Sequence, residues 1–459
     1  MSQPPVKENK MGVMPVGKLI VTMSLPMMIS MLVQALYNIV DSIFVTRIGE
    51  SALTAVTLAF PMQNLMIAVG SGTGVGINAM LSTSLGEKRF DRSDAAANTG
   101  LLLSFCNFVL FLMLGLFAAR PFLMTQTDNL EVIGYGSTYL SIVTCMSVGL
   151  FFQMTFERLL QSTGLTLYSM ISQLTGAIIN IILDPILIFG WFGFPRLEVA
   201  GAAYATVIGQ CAAACVGMTL NIRRNKEIHI GIKRILRPDL NAILRIYAVG
   251  IPSMLMMSIG SLMTYLMNII LLGFSETAAA VFGVYFRLQS FFFMPVFGMN
   301  NGIIPVLAYN FGAKKKKRID EALRFGVKMA VGIMAAGTII FELIPGILLD
   351  LFNAGEYMKS IGIPAMRIVA LHFPLAAVAI SLGSVFQAFS KSIYSLIISI
   401  CRQLVALIPT AWLIARLTGD VNKVWFSFLI AEAVSLVLSV VFFKHVYAKT
   451  VKPIENMEE

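Results

Sequence analysis

Two aspartates stand in stretches of sequence that otherwise carry no charge, Asp41 near the end of the first apolar run and Asp184 near the end of the fifth. An ionisable side chain in such a run is costly and calls for a reason. Tyr37 precedes Asp41 by four residues and Asn180 precedes Asp184 by four, so each pair shares one face of a helix. Gln34 extends the first face by about one turn, and Thr206 offers a hydroxyl from the sixth run. Two carboxylates, an amide oxygen and hydroxyls suit a hard cation that prefers oxygen ligands. If that cation is Na⁺, Asp41, Asn180 and Asp184 are its expected metal ligands. The same set suits a proton, because two neighbouring buried carboxylates cannot both ionise cheaply. Pro185 removes a backbone donor and frees a carbonyl one turn earlier. The competing reading is that each aspartate hydrogen-bonds a neighbouring helix for packing alone.

The elements that must position these groups follow from composition. The chain has 459 residues, 57% hydrophobic and only 13% charged, with a mean hydropathy of +0.81. A soluble domain carries about a quarter charged residues, so a water-soluble globular fold, a disordered scaffold and a soluble nucleic-acid binder are all excluded. Charge-free windows run over 19–40, 51–86, 95–119, 132–156, 159–183, 199–222, 246–275, 288–313 and 368–390. Three more spans are interrupted by single charges near Glu342, Arg402 and Glu432, which makes twelve. The expected class is all-α integral membrane. The first run is too long for a signal-peptide core and reads as a retained span.

Numbering the gaps in order, the N-terminus, the even gaps and the C-terminus hold 22 Lys and Arg residues, against six in the odd gaps. The positive-inside rule then puts both termini in the cytoplasm. The basic runs at 223–237 and 314–318 read as solvated loops facing anionic lipid, with no nucleic acid needed to explain them. The chain also matches itself at an offset of 226 residues: Pro26 with Pro252, Met28 with Met254, Gln63 with Gln289, Gly76 with Gly302, Gly86 with Gly312 and Asp94 with Asp320. Each half then has six spans, an even number, so the two share one orientation and form parallel-repeat lobes. The expected divisions are an N-terminal lobe over 1–222, a basic linker over 223–239 and a C-terminal lobe over 240–459. Two bundles flanking a cleft suit alternating access by rocking. Neither an enzyme nor an ungated pore has the same use for them. At the repeat offset Asp41 meets Met267 and Asp184 meets Thr410 or, after a two-residue slip, Ile408, so the ion site is expected in the first half only.

Other polar groups have two readings each. Glu157 is either a cavity carboxylate that attracts cationic substrate or half of an ion pair with Arg158. Arg287, deep in the eighth span, needs a partner or serves the cavity. Arg402 and Glu432 are expected to pair between spans eleven and twelve. The 28 methionines and 32 phenylalanines include Met257 in the cluster 254–257. A cavity walled by such side chains accepts lipophilic cations. Five cysteines without a CxxC pair, and three scattered histidines, indicate neither disulfides nor a zinc site. Cys211 and Cys215 share a helix face and are expected in the helical core.

Taken together, Ser24-Leu25-Pro26-Met27-Met28 with Tyr37 and Asp41, the Gly72–Gly76 stretch, Asn180 to Ile186, Val199 to Ala203, Phe286-Arg287-Leu288 and Pro305 to Phe311 resemble the multidrug and toxic compound extrusion (MATE) transporters, in the prokaryotic branch of MepA-like and DinF-like exporters. The likeness covers about residues 15–445. It implies twelve helices in two lobes around a V-shaped cavity in the plasma membrane. It also implies efflux of organic cation drugs or dyes, driven by Na⁺ or H⁺ and with no other cofactor. Asp41, Asn180, Asp184 and Tyr37 match the family's N-lobe cation site, and Glu157 matches a position that is acidic or an amide in related exporters. Gln34, Glu157, Met257 and Arg287 are the expected substrate contacts. Residues 368–390 hold no acid, unlike a further branch that carries one there. A two-lobe chain is expected to work as a monomer. The alternative function is flipping of a lipid-linked oligosaccharide, which would call for a more cationic cavity.

Overall fold

In hydrocarbon a backbone N–H finds no partner but a carbonyl of its own chain, so each apolar run folds as a helix. The computed structural model describes residues 8–352 and 354–455. Ten of its helices are long and apolar enough to cross a membrane, and two bent pairs bring the number to twelve. In order they are α1 (Val16–Thr46), α2 (Glu50–Gly86), α3 (Phe90–Phe117), α4 (Leu130–Cys145 with Val148–Ser162), α5 (Thr166–Phe189), α6 (Val199–Arg224), α7 (Leu240–Leu272), α8 (Glu276–Gly312), α9 (Lys316–Leu343), α10 (Glu356–Ala370 with Phe373–Ala388), α11 (Ser392–Thr418) and α12 (Phe426–Thr450). No β-strand occurs among the described residues. Gly190 ends α5 at φ +75° and Gly419 ends α11 at φ +60°, a backbone region that a side chain would strain.

The helices outrun the charge-free windows. Helix α8 begins at Glu276 rather than near 288, because Ser275 caps it by accepting the Ala278 N–H at 3.1 Å and an acid suits the first turn. Helices α4 and α10 each bend by 46°, at nearly equivalent points of the two halves. Hydropathy runs unbroken through both bends, so the sequence does not show them. Helix α11 turns π-helical over Cys401–Leu407, just before Pro409, whose missing N–H interrupts the regular ladder. Cys215 is exposed on α6 and Cys211 half-buried, so the pair is not the core feature that its spacing suggested. Arg402 and Glu432 do pair, at 3.3 Å.

Helices α1–α6 and α7–α12 form two lobes, joined where α1 packs on α8 and α2 on α7 and α8. The joint is a seam of glycines. A Cβ on Gly302 would stand 2.7 Å from the Met23 carbonyl oxygen, and one on Gly298 would stand 2.6 Å from that of Met27. Gly76 lies against the Ile246 carbonyl in the same way. Gly86 lies against the carbonyl of Tyr309, and its repeat partner Gly312 lies against the carbonyl of Thr83, itself the repeat partner of Tyr309. Ser24 adds a hydrogen bond to the Met299 carbonyl at 3.2 Å. All of these contacts fall in the halves of α1, α2, α7 and α8 nearest the chain's N-terminus. Toward the other end, past Met28, Gly72, Met254 and Gly298 on these four helices, no hydrogen bond or glycine contact joins the lobes among the described residues. The lobes therefore meet at one end and part at the other.

The linker after α6 is pinned, not free. Asp94 on α3 accepts the His229 N–H at 2.7 Å and pairs with Arg234. Asn98, one turn on, donates to the His229 carbonyl and accepts from the Gly231 N–H, both at 2.9 Å. The repeat-related Asp320 does similar work in the other lobe, accepting from Tyr447 of α12 at 2.7 Å. Replacing Asp94 by Ala is expected to free the linker and speed tryptic cleavage between Arg223 and Arg237 by roughly tenfold, since proteolysis follows local opening. Unchanged cleavage kinetics would show that Asn98 holds the segment alone.

Candidate functional site

Asp41 lies five residues before the end of α1 and Asp184 five before the end of α5. Both helices run from the closed end of the seam to the parted end, so the two carboxylates reach similar depth. Asp184 is 0% exposed. Both of its carboxylate oxygens are buried without a hydrogen-bond partner, as is Oδ1 of Asp41. Asn180, one turn below Asp184, donates its Nδ2 to Thr206 Oγ1 on α6 at 3.3 Å. That bond turns the amide so that Oδ1 is left buried and unpartnered. Four acceptor oxygens thus gather on α1 and α5 with no donor to satisfy them. Such orphans are rare in native interiors and cost about 1–3 kcal/mol each when nothing fills the gap.

Asp41 and Asp184 lie within electrostatic reach of each other and of Tyr37. Gln34 accepts from Gln173 Nε2 of α5 at 3.1 Å, which ties the two acid-bearing helices together about two to three turns nearer the seam. The structure adds a residue that the sequence reading missed. Tyr139 of α4, only 2% exposed, also lies within reach of Asp41 and Asp184. Its phenolic oxygen accepts from Gln63 Nε2 of α2 at 3.0 Å. Gln63 had counted only as a repeat match. No spacing rule links residues 63 and 139 to 41, so only the fold brings them together.

Three expected contacts sit elsewhere. Glu157 lies near the other end of α4, about 20 Å from Asp184 along the helix axes by rise per residue. It is buried, accepting from Gln153 Nε2 at 2.9 Å. Arg158 does not pair with it. Its Nη1 donates instead to Gln161 Oε1 at 3.0 Å and, across the seam, to Asn301 Oδ1 at 3.1 Å. Met257 is exposed on α7. Arg287 is exposed on α8 and makes no hydrogen bond or ion pair among the described residues. It stands eleven positions, about three turns, before Gly298 and so shares the face that meets α1 lower down.

Chemically, the acid site offers mainly oxygen acceptors, with the Tyr37 and Tyr139 phenols as uncharged donors nearby and no cationic side chain among its named members. Among the described residues no three His, Cys, Asp or Glu side chains gather as a metal site. A cation here would have to draw on the amide, the hydroxyls and backbone carbonyls as well as the two acids. The arrangement suits a weakly held, exchangeable ion or shared protons rather than a resident metal.

A family model described as MatE matches residues 26–186 and again 252–413. The two matches begin 226 residues apart (252 − 26), the offset at which the chain repeats itself. The chain is 28% identical to the Multidrug export protein MepA of Staphylococcus haemolyticus (strain JCSC1435) over 438 residues, 91% of this chain and 90% of the relative. It is 26% identical to the protein of the same name from Staphylococcus saprophyticus subsp. saprophyticus over 412 residues, 90% of each. Among solved structures, the outward-facing conformation of a multidrug resistance MATE family transporter of the MOP superfamily superposes with a TM-score of 0.91 at 25% identity, covering 98% of this chain and 100% of the other. A MATE in complex with MaL6 superposes with the same score and identity over 97% and 100%. Matched in both of its halves and sharing the twelve-helix architecture, the chain belongs to the MatE family of multidrug and toxic compound extrusion transporters.

Proposed function

We propose that this protein is a secondary active exporter of lipophilic organic cations, driven by Na⁺ or H⁺ returning down its gradient. The observation that carries the reading is the set of four orphaned acceptor oxygens on Asp41, Asn180 and Asp184. Their cost is relieved when a small cation or protons arrive. The relatives named as multidrug export proteins support the cargo class. The positive-inside count supports cytoplasmic termini in a plasma membrane, which makes the closed seam cytoplasmic and the parted end extracellular.

In this mechanism a guest enters the cleft from the inside and is released outside when the ion occupies the acid site. Filling that site favours a conformation of weak guest affinity, so the ion and the guest take turns. Tyr37 and Tyr139 shape the site, and Thr206 orients Asn180. Gln34, Met257 and Arg287 are the proposed guest contacts. Glu157, buried beside the seam, meets a guest only after the cytoplasmic side opens. The chain is proposed to act as a monomer.

The test is purified protein in liposomes with a fluorescent cationic dye and one gradient at a time. Dye movement that needs an imposed Na⁺ or H⁺ gradient is the expected result, and the effective gradient names the coupling ion. Dye movement indifferent to both gradients would overturn the coupling. Scrambling of a lipid-linked oligosaccharide without dye movement would replace the cargo.

A further inference from the structure

The segment Glu8–Met14 lies across the closed end of the seam and bonds to both halves of the chain there. Asn9 uses one amide group on two partners, donating Nδ2 to the Thr163 carbonyl in the α4–α5 turn and to Glu227 Oε1 in the linker, both at 3.0 Å. These partners belong to the first half of the chain and its tail. The segment's own carbonyls go to the second half. Arg318 of α9 donates to Met11 O at 3.0 Å and to Met14 O at 2.7 Å. Asn310 of α8 also donates to Met11 O, at 3.0 Å. Lys315 donates to Gly12 O at 3.0 Å and pairs with Glu8. That pairing holds the Glu8 carboxyl below its usual range, whereas burial pushes the Glu227 carboxyl up.

We propose that Glu8–Met14 is a releasable strap that holds the cytoplasmic gate shut, with Asn9 and Arg318 as its two fastenings. This rests on the transport cycle proposed above. The glycine seam and the strap differ in kind. Seam contacts are packing in oil, lost as a whole when the lobes rock. Strap contacts are mostly polar bonds to backbone oxygens and carboxylates at the helix ends, which water replaces one at a time, with the Met11 side chain buried beneath them. Opening the cytoplasmic side must carry Thr163 away from Arg318 and Asn310, so one set of fastenings has to let go. The bonds formed by Arg318 are charge-assisted and the stronger set. On the first half the strap is held by the Asn9 amide and by the buried Met11 side chain beside Gly164, with no cationic side chain donating to its backbone, and that is the side expected to release, leaving the strap on the second half.

The test reads distance, without guest or gradient. Asp91 and Lys317, exposed and repeat-related at the starts of α3 and α9, are replaced by Cys and spin-labelled in full-length protein whose five native cysteines are changed to Ala. A short distance should dominate in this background. Arg318→Gln and Asn9→Ala should each raise the ratio of long to short distances by about fivefold or more, the effect of losing one or two such bonds. Asn9→Ala removes one small amide and leaves the second half intact, so it serves if Arg318→Gln folds poorly. Two well-folded variants with the parental distribution would overturn the strap, whatever the liposome assay shows. Absent gradient-driven efflux in the parent would overturn the transport reading alone.

Discussion

Asp184→Asn is expected to bring gradient-driven dye efflux down to the level of protein-free liposomes while leaving the thermal unfolding midpoint unchanged or higher. The pairing of the two results is what matters. Asp184 is fully buried, and both oxygens lack a donor. A carboxylate kept for packing would have partners, and its loss would lower stability. An orphaned one burdens the fold, and an amide of the same shape removes the charge while bringing two N–H donors toward neighbouring acceptors. The amide can neither release a proton nor balance a cation, so the proposed exchange of ion for guest would stop. Asp41→Asn should act in the same direction, less cleanly, because only one of its oxygens is buried without a partner. Full efflux by Asp184→Asn, or lost efflux with a clearly lowered midpoint, would each count against the ion site.

The second large effect is expected at the seam. Gly86→Ala places a methyl group on the carbonyl of Tyr309, and Gly312→Ala does so on the carbonyl of Thr83. A backbone oxygen on a facing helix cannot turn aside as a flexible side chain does, so the helices themselves must separate. Overpacking of this kind costs about 1–3 kcal/mol. A penalty of that size, confined to the closed end, shifts the balance between closed and open by about fivefold or more. The checks are the distance distribution between labels at positions 91 and 317 and the unfolding midpoint, with Gly134→Ala as the comparison. Nothing lies within 4 Å of a Cβ at Gly134, so this variant should behave as the parent. Equal behaviour of Gly86→Ala and Gly134→Ala would mean that the seam tolerates a methyl and does not set closure.

Much of this architecture is legible in the sequence because oil imposes so narrow a choice. A run such as 95–119 can only be a helix, and an offset that carries Gly76 to Gly302 and Gly86 to Gly312 can only be a duplication. The acids showed themselves for the same reason, since a carboxylate in an apolar run is conspicuous. Contacts between distant parts of the chain were not legible. Tyr139 joins the site through the packing of α4 on α2. Arg158 ignores its neighbour Glu157 because Asn301, 143 positions away, offers a better-placed acceptor. The bends in α4 and α10 leave hydropathy unchanged and are invisible to it. Asp94 counted only as a repeat match, yet it anchors the linker that its charge pattern had suggested was a solvated loop facing lipid.

The reciprocal fit of Gly86 on Tyr309 and Gly312 on Thr83 has an evolutionary reading. A surface that binds its own copy in this way is isologous, the geometry of a twofold dimer. A six-helix ancestor could have assembled as two identical subunits through this contact before gene fusion joined them. Fusion released the copies from sameness, so one kept or gained acids while the other dispensed with them. The groove between them, once bound to be symmetric, became free to differ on its two sides.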